Sequence, residues 1–411
     1  MSLTTLRIGF LPLVDSAILV AAQAFGFAEA EGLHLELSRE ASWANIRDKL
    51  VYRHFDAAHM LAGLPIAATL GLSRAPTPVI APFCLGLNGN AITLVRSLAV
   101  DLEAQLGGRV DLADARSTAL ALAALIKTRR AAGLAPLRLG VPHRFSSHNY
   151  ILRYWLAFAG IDPERDVQLV IVPPPLIVDA MAAGEILGFC VGEPWSSVAV
   201  ETGVGDIVAL GCRIWQRGVE KVLGMRSDWA QANPETLAAL LRALDRAARW
   251  AGDAENRTAL ATALARPEYV GGSPGLIARV LSGRLQVSAT SEFDAPDFLM
   301  LYRDAANFPW VSQAQWLYSQ MLRWGQAPAG AAAEAAVRSV FRPDLYRRAL
   351  AGSGTPLPGA NAKVEGALAT PLAVGSTRGR LSIGPDRFFD GRHFDPDRLG
   401  AYLQGFDTTL K

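Results

Sequence analysis

Apolar and polar positions along this chain follow one pattern stated twice. Residues 6–17 read LRIGFLPLVDSA and residues 137–148 read LRLGVPHRFSSH. Each copy opens on Leu-Arg-apolar-Gly, a strand-like start, and passes through a short connection to a capping pair, Asp15-Ser16 or Ser146-Ser147. An apolar helical stretch follows each pair, and in the second copy Ile151, Tyr154, Trp155 and Phe158 fall on one helical face. Strand-like runs come next, LHLELS at 33–38 and VQLVIV at 167–172. Each leads into a helix, SWANIRDKLVY capped by Ser42, or PPPLIVDAMAAG with proline at its start and Gly184 at its end. An acidic residue, a short apolar strand and Gly-x-Pro complete both copies, at 56–65 and 185–194.

A twofold β-loop-α-β-α-β-α order predicts an α/β protein whose parallel sheets are joined by crossover helices. The economical architecture is two α/β lobes facing each other across a cleft. Ligands of such sheets sit at the carboxyl ends of the strands, beside helix N-termini, and HRFSSHNY at 143–150 holds one of those positions. The expected division is 1–95 for the first part of lobe 1, 96–230 for lobe 2, and 231–411 for a return to lobe 1 with a helical segment and a C-terminal tail. Within that return, NPETLAALLRALDRAARWA, SPGLIARVLSG and AGAAAEAAVRSVF read as helices, and GSGTPLPGANAK (352–363) as a loop.

Composition narrows the function. With 51% hydrophobic and 19% charged residues the chain buries a large core and is not disordered. A formal charge of +2 without a Lys/Arg run argues against direct nucleic-acid binding. No apolar run reaches the roughly 18 residues of a membrane span. Cys84, Cys190 and Cys212 lie in apolar runs and read as buried free thiols, in keeping with a reducing compartment. MSLTTLRIGFLPL enters a strand at once, without a basic n-region, a long apolar h-region or a cleavage site. That favours a cytoplasmic location, or a periplasmic one if a native leader has been removed.

Catalytic and metal motifs fail on chemistry. GGSPG (271–275) matches a nucleophile elbow, but Pro274 has no N–H to donate to an oxyanion, and Ser273 reads better as a helix cap. There is no phosphate-binding P-loop, no C-x-x-C and no H-E-x-x-H. The pairs His54/His59 and His143/His148 have the wrong spacing for one helical face. No base–nucleophile pair is apparent, so the reading is a binding protein and not an enzyme, with no cofactor and no metal.

The remaining candidates stand at the inferred lobe mouths, each with two readings. Trp43 offers an indole donor or a core ring. Asn88 and Asn90, beside glycine in LNGNAIT, offer amides or a turn. His148 falls in the first turn of its helix, where a proton would need an anion to hold it. Gly192 gives a close backbone approach or a plain turn. Lys221 is a solvated charge or the cation of a pocket.

Taken together, SWANIRDKL, LNGNAIT, SSHNYILRYWLAFAGIDPERD, VIVPPPLIVDAMAAG, GFCVGEPW and EKVLGMRSDW resemble the nitrate- and bicarbonate-binding proteins of the nitrate/sulfonate/taurine transporter class, over essentially the whole chain. The resemblance implies a type II periplasmic-binding-protein fold, with a ligand clamped between lobes that close about a hinge. By motif it places an anion on Trp43, Asn90, His148, Gly192 and Lys221. The amide position is glutamine in the familiar nitrate transporter protein and Asn90 here, one methylene shorter. The bicarbonate branch is acidic at the Lys221 position and associated with calcium, so lysine points to nitrate or nitrite without metal. A site of donors with one fixed cation and one titratable histidine suits a planar monoanion with no proton to donate; bicarbonate would also need an acceptor. Members without a leader resemble the cytoplasmic nitrate sensor that partners an RNA-binding antiterminator. The alternatives are the binding component of a nitrate or bicarbonate transporter and, further off, an enzyme like the thiamine-pyrimidine synthases, whose cysteine-rich motif has no counterpart here.

Overall fold

The computed structural model describes residues 3–72, 74–377 and 379–406. Its framework is ten strands in two sheets. In chain order they are β1 (Thr4–Phe10), β2 (Leu33–Arg39), β3 (Ala57–Leu61), β4 (Val79–Cys84), β5 (Asn90–Val95), β6 (Leu137–Val141), β7 (Val167–Ile171), β8 (Gly188–Gly192), β9 (Gly205–Leu210) and β10 (Lys221–Arg226). The first sheet runs β2-β1-β3-β10-β4 and the second β7-β6-β8-β5-β9, so the repeat read in the sequence becomes a repeat of sheet order.

The parallel pairing predicted by strand–helix alternation holds within each half. β1 runs parallel to β2 and β3, and β6 parallel to β7 and β8. The fourth strand of each sheet departs from it. β10 lies antiparallel between β3 and β4, and β5 antiparallel between β8 and β9. The sheets are therefore mixed and not wholly parallel. Each fourth strand arrives from the opposite lobe by a short connection after β4 or β9, the second carrying only the one-turn helix Gly211–Ile214, and no long crossover helix turns it round.

Strand exchange also shifts the expected lobe boundaries. A division at 95/96 and 230/231 leaves both exchanged strands on the wrong side, because β5 belongs to the second sheet and β10 to the first. An apolar run such as NAITLV announces a buried strand without saying which sheet will pair with it. The C-terminal part is likewise shared. Helices Pro234–Ala251 and Arg257–Leu264 pack on Ala17–Ala24 of the first lobe, while strand Arg284–Ser288 packs on β9 and on helix Trp195–Glu201 of the second. Helix Val311–Arg323 touches Gly63–Thr69 in one lobe and Ser147–Phe158 in the other.

The chain crosses between lobes at 85–89 and 211–220, and Asn88 ties the two crossings together. Its backbone adopts a left-handed φ of 63°, which asparagine tolerates better than most residues. The Gly218 N–H donates to its Oδ1 at 3.0 Å, and its Nδ2 donates to Gln216 O at 2.8 Å and Asp297 O at 3.0 Å. Behind the second crossing, Trp215 packs against Trp316 (centroids 4.5 Å apart) and stacks on Phe388 of the tail at 5.0 Å. The tail is held by a buried ion triad in which Lys363 Nζ lies 2.5 Å from Glu365 Oε2 and 2.5 Å from Asp386 Oδ2.

Local signals fare unevenly. Ser42 and Ser146 cap their helices, accepting from Asn45 N–H at 3.2 Å and Asn149 N–H at 3.0 Å. Ser273 caps Pro274–Ser282 through Leu276 N–H at 3.4 Å. Asp15-Ser16 does not cap: the Ser16 hydroxyl donates back to Leu13 O at 2.7 Å, and Asp15 turns into the cleft. Helix Ser147–Phe158 is buried on all sides from Ser147 to Ala157 and not along one face. The tail rings of Phe388, Phe389 and Phe406 cover Tyr154, while on the polar side Asn149 donates to Arg144 O at 2.8 Å and Arg153 lies 2.6 Å from Glu164 and over the Trp324 ring.

Candidate functional site

Strand exchange puts the first residues of β5 and β10, Asn90 and Lys221, at the ends of the two crossings, between the lobes. Gly192 ends β8 and pairs with Asn90 across the ladder. Trp43 begins the Trp43–Val51 helix, and His148 sits in the first turn of Ser147–Phe158. These residues come from both halves of the chain and meet in one buried cluster. Lys221 Nζ lies 5.4 Å from the centre of the Trp43 ring. A Cβ at Gly192 would lie 3.6 Å from His148 Nε2, so the glycine brings β8 against the imidazole. Asn90 Nδ2 donates to Glu220 Oε2.

Three ionisable members of the cluster were not among the expected residues. Asp15 Oδ2 accepts from Lys221 Nζ at 2.7 Å, and its Oδ1 lies 3.0 Å from His59 Nε2. Glu220 Oε1 is the hub of the second lobe's side, 2.9 Å from Lys221 Nζ, 2.8 Å from His148 Nε2 and 3.0 Å from the donating Ser147 hydroxyl. Both histidine–carboxylate contacts are close in distance but off the N–H direction, so they are not aligned hydrogen bonds. His59 completes a wall with Trp43, their rings 5.2 Å apart and edge-on. Asp15, Glu220, Lys221, His59 and His148 are all at least 97% buried.

Burial opposes every charge here, and the neighbours decide which survive. Burial would raise Asp15, but the Lys221 ammonium and His59 hold it well below the usual carboxylate range. Burial would likewise raise Glu220, yet His148 and Lys221 bring it down to about 2. Lys221 is pushed up despite its burial, because two carboxylates share its charge. His59 and His148 go the other way, with burial lowering both below the ordinary imidazole value in spite of their carboxylates. At neutral pH the cluster thus carries two negative charges and one positive, with neutral imidazoles.

This corrects the expectation of a site made of donors. Donors are present, but two carboxylates stand among them. Asp15 was legible only as a helix cap. Glu220 stands beside Lys221 in the sequence, an adjacency that could have prompted the pairing. Sequence spacing gives no sign of His59, which reaches the cluster because β3 and β10 are neighbours. Asn88 belongs to the crossings and not to the cluster. His143 is a turn residue whose Nδ1 accepts from Phe145 N–H at 3.1 Å, held down to about 4 by burial and by Arg47 and Arg144. Arg144 is exposed and lies over the Phe145 ring, 5.0 Å from its centre.

With that geometry in view, the sequence pattern of the NMT1-like family matches residues 2–265. The chain belongs to the NMT1-like family. Among its relatives, the nitrate/nitrite binding protein NrtA of Synechococcus elongatus is 31% identical over 97% of this chain and 85% of its own length. The crystal structure of the periplasmic nitrate-binding protein NrtA from Synechocystis superposes with a TM-score of 0.85 at 28% identity, covering 98% of this chain and 99% of that one. The nitrate import ATP-binding protein NrtC of Synechocystis is 37% identical over 85% of this chain, which spans 50% of its length. This NMT1-like chain has the periplasmic-binding-protein fold, as the sequence resemblance implied. Among the described residues no group of three or more His, Cys, Asp and Glu is placed to hold a metal ion, and no helix is long and apolar enough to cross a membrane.

Proposed function

We propose that this chain binds nitrate or nitrite between its lobes, on Trp43, Asn90, His148, Gly192 and Lys221. The observation that carries the reading is the placement of one fully buried ammonium, Lys221, among an amide, an imidazole and an indole drawn from both halves of the chain. The Trp43 Nε1 donor is buried and has no partner among the described residues, which suits a ligand that only accepts hydrogen bonds. Relatives named for nitrate binding support the same ligand class. Calorimetric titration with nitrate, nitrite, and bicarbonate with and without calcium tests it. Saturable heat with nitrate or nitrite is expected; calcium-dependent bicarbonate binding with no response to nitrate would refute it.

The role built on that binding is a cytoplasmic nitrate sensor that holds an RNA-binding antiterminator when ligand-free and releases it on binding nitrate. Such a sensor works only if nitrate and the partner prefer different lobe arrangements, because a ligand with equal affinity for both shifts nothing. The second reading, the binding component of a nitrate transporter acting in the periplasm, is favoured by the names of the relatives. Partner capture with and without nitrate separates them. Antiterminator binding abolished by nitrate supports the sensor, and affinity unchanged by nitrate rejects it.

A further inference from the structure

The cluster poses a charge problem for any monoanion. Asp15 and Glu220 already occupy the Lys221 ammonium, at 2.7 and 2.9 Å, and leave one negative charge uncompensated beside neutral imidazoles. A second uncompensated negative charge in a space this buried is strongly disfavoured. Something must bring in positive charge. The fixed cation is already shared, so a proton from solvent is the available source.

The two histidines are not equivalent acceptors. His59 Nε2 faces Asp15, and its Nδ1 lone pair receives the Leu11 N–H at 3.5 Å. Protonating that nitrogen would set two N–H groups against each other. His148 Nε2 faces Glu220 at 2.8 Å, and its Nδ1 has no hydrogen-bond partner among the described residues. A proton on Nδ1 breaks nothing. We propose, on the reading of the cleft as an anion site, that this chain takes up about one proton on His148 Nδ1 with each monoanion it binds.

The surrounding groups fit that assignment. Glu220 and Lys221 at the head of β10, Asp15 from the first lobe and His59 beyond it set the charge around His148. The Ser147 hydroxyl and the Asn90 amide both donate to Glu220, so neither supplies net charge. The Cys190 thiol on β8 is raised well above its ordinary value by burial and stays protonated. The Glu193 carboxyl, one residue beyond Gly192, accepts from Ser197 N–H at 3.1 Å but is raised to about 7 by burial. It therefore titrates in the same pH range, and Glu193→Gln is the control that separates its proton from that of His148. In the ligand-free cluster the helix N-terminus and burial work against a cation on His148. A bound anion reverses the balance, so the imidazole pKa rises on binding. Affinity is then highest below the ligand-free imidazole pKa, falls up to tenfold per pH unit between the two pKa values, and levels off above the bound one.

The test is calorimetry of the full chain with sodium nitrate at one pH near neutrality, in phosphate and then in Tris. The expected result is an apparent heat that differs between buffers by their ionisation enthalpies times about one proton, with affinity weakening as pH rises from about 6 to about 8. Equal heats in the two buffers, with affinity unchanged over that range, would overturn the coupling while leaving anion binding standing. No binding of nitrate, nitrite or bicarbonate at any pH would overturn the anion reading and the coupling with it. His148→Gln keeps hydrogen-bonding capacity without a titrating proton, and should bind nitrate more weakly than the native chain does at about pH 6, with a buffer-independent heat and a flattened pH profile. Undiminished proton uptake in H148Q would overturn the assignment to His148.

Discussion

Lys221→Met removes the one fixed cation that the described residues bring to the cluster while keeping most of the side-chain length, and its consequence can be worked from the distances. The ammonium lies 2.7 Å from Asp15 Oδ2 and 2.9 Å from Glu220 Oε1. At an effective dielectric of about 20 each contact is worth roughly 6 kcal/mol of attraction, much of it offset by the desolvation of three buried charges. Removing the cation leaves two carboxylates buried together, and breaking a buried pair in this way costs about 3–5 kcal/mol. That corresponds to a fall in Tm of roughly 3–6 °C for a chain of 411 residues. The pH dependence identifies the cause. In the native chain Asp15 and Glu220 are held below their unfolded values, so the stability they contribute is fully present above about pH 4.5 and is lost only under strong acid. In K221M both carboxyls lose their counter-ion and burial raises them above the unfolded values, so the variant loses stability as pH rises from about 4.5. Thermal unfolding followed by circular dichroism should show a Tm gap between native and variant that is wide near pH 7.5 and narrows near pH 5. A gap of the same size at both, or a variant as stable as the native chain, would refute the account of Lys221 as the shared counter-ion.

Other perturbations follow from the same geometry. Glu193 is buried and raised to about 7, so folding loses stability as pH climbs from its unfolded value towards 7; Glu193→Gln should raise stability by about 3 kcal/mol at pH 8 and by little at pH 4.5, as read from urea unfolding at both. Asn88→Ala forfeits three hydrogen bonds and the tolerated left-handed backbone, and should lose about 2–4 kcal/mol in the same assay. A side chain at Gly63 would run into Phe145 O of the opposite lobe. Gly63→Ala should therefore hold the lobes apart, seen as a larger radius of gyration in X-ray scattering and weaker nitrate binding. Phe388→Ala empties the stack behind the second crossing and should lower stability by about 3–5 kcal/mol.

The parts of the fold that rest on local periodicity were readable from the chain. The repeat at 6–17 and 137–148, the caps at Ser42 and Ser146, and the helix over Pro234–Ala251 depend on neighbours a few residues away, which is the range over which apolar spacing speaks. Strand exchange was not readable, because β5 and β10 have the same buried-strand pattern whichever sheet receives them. In the cluster, Trp43, His148 and Lys221 stood out by position at element starts. Asp15 did not, since an acidic residue before a helix is ordinarily explained by the N-terminal dipole. Its partner Lys221 lies more than two hundred residues away and meets it only through the exchanged strand. The charge balance of the site is for that reason a tertiary property, and a sequence reading of its donors alone misjudges it.

Strand exchange also limits how the chain can be divided. A fragment covering 96–230 would carry β10, which has no sheet of its own there, and would lack β5, leaving the edges of β8 and β9 without the strand that separates them. Exposed apolar edges of that kind invite intermolecular pairing. Neither lobe is thus a transferable module; the smallest unit that can be expressed, duplicated or grafted onto another protein contains both crossings and both exchanged strands.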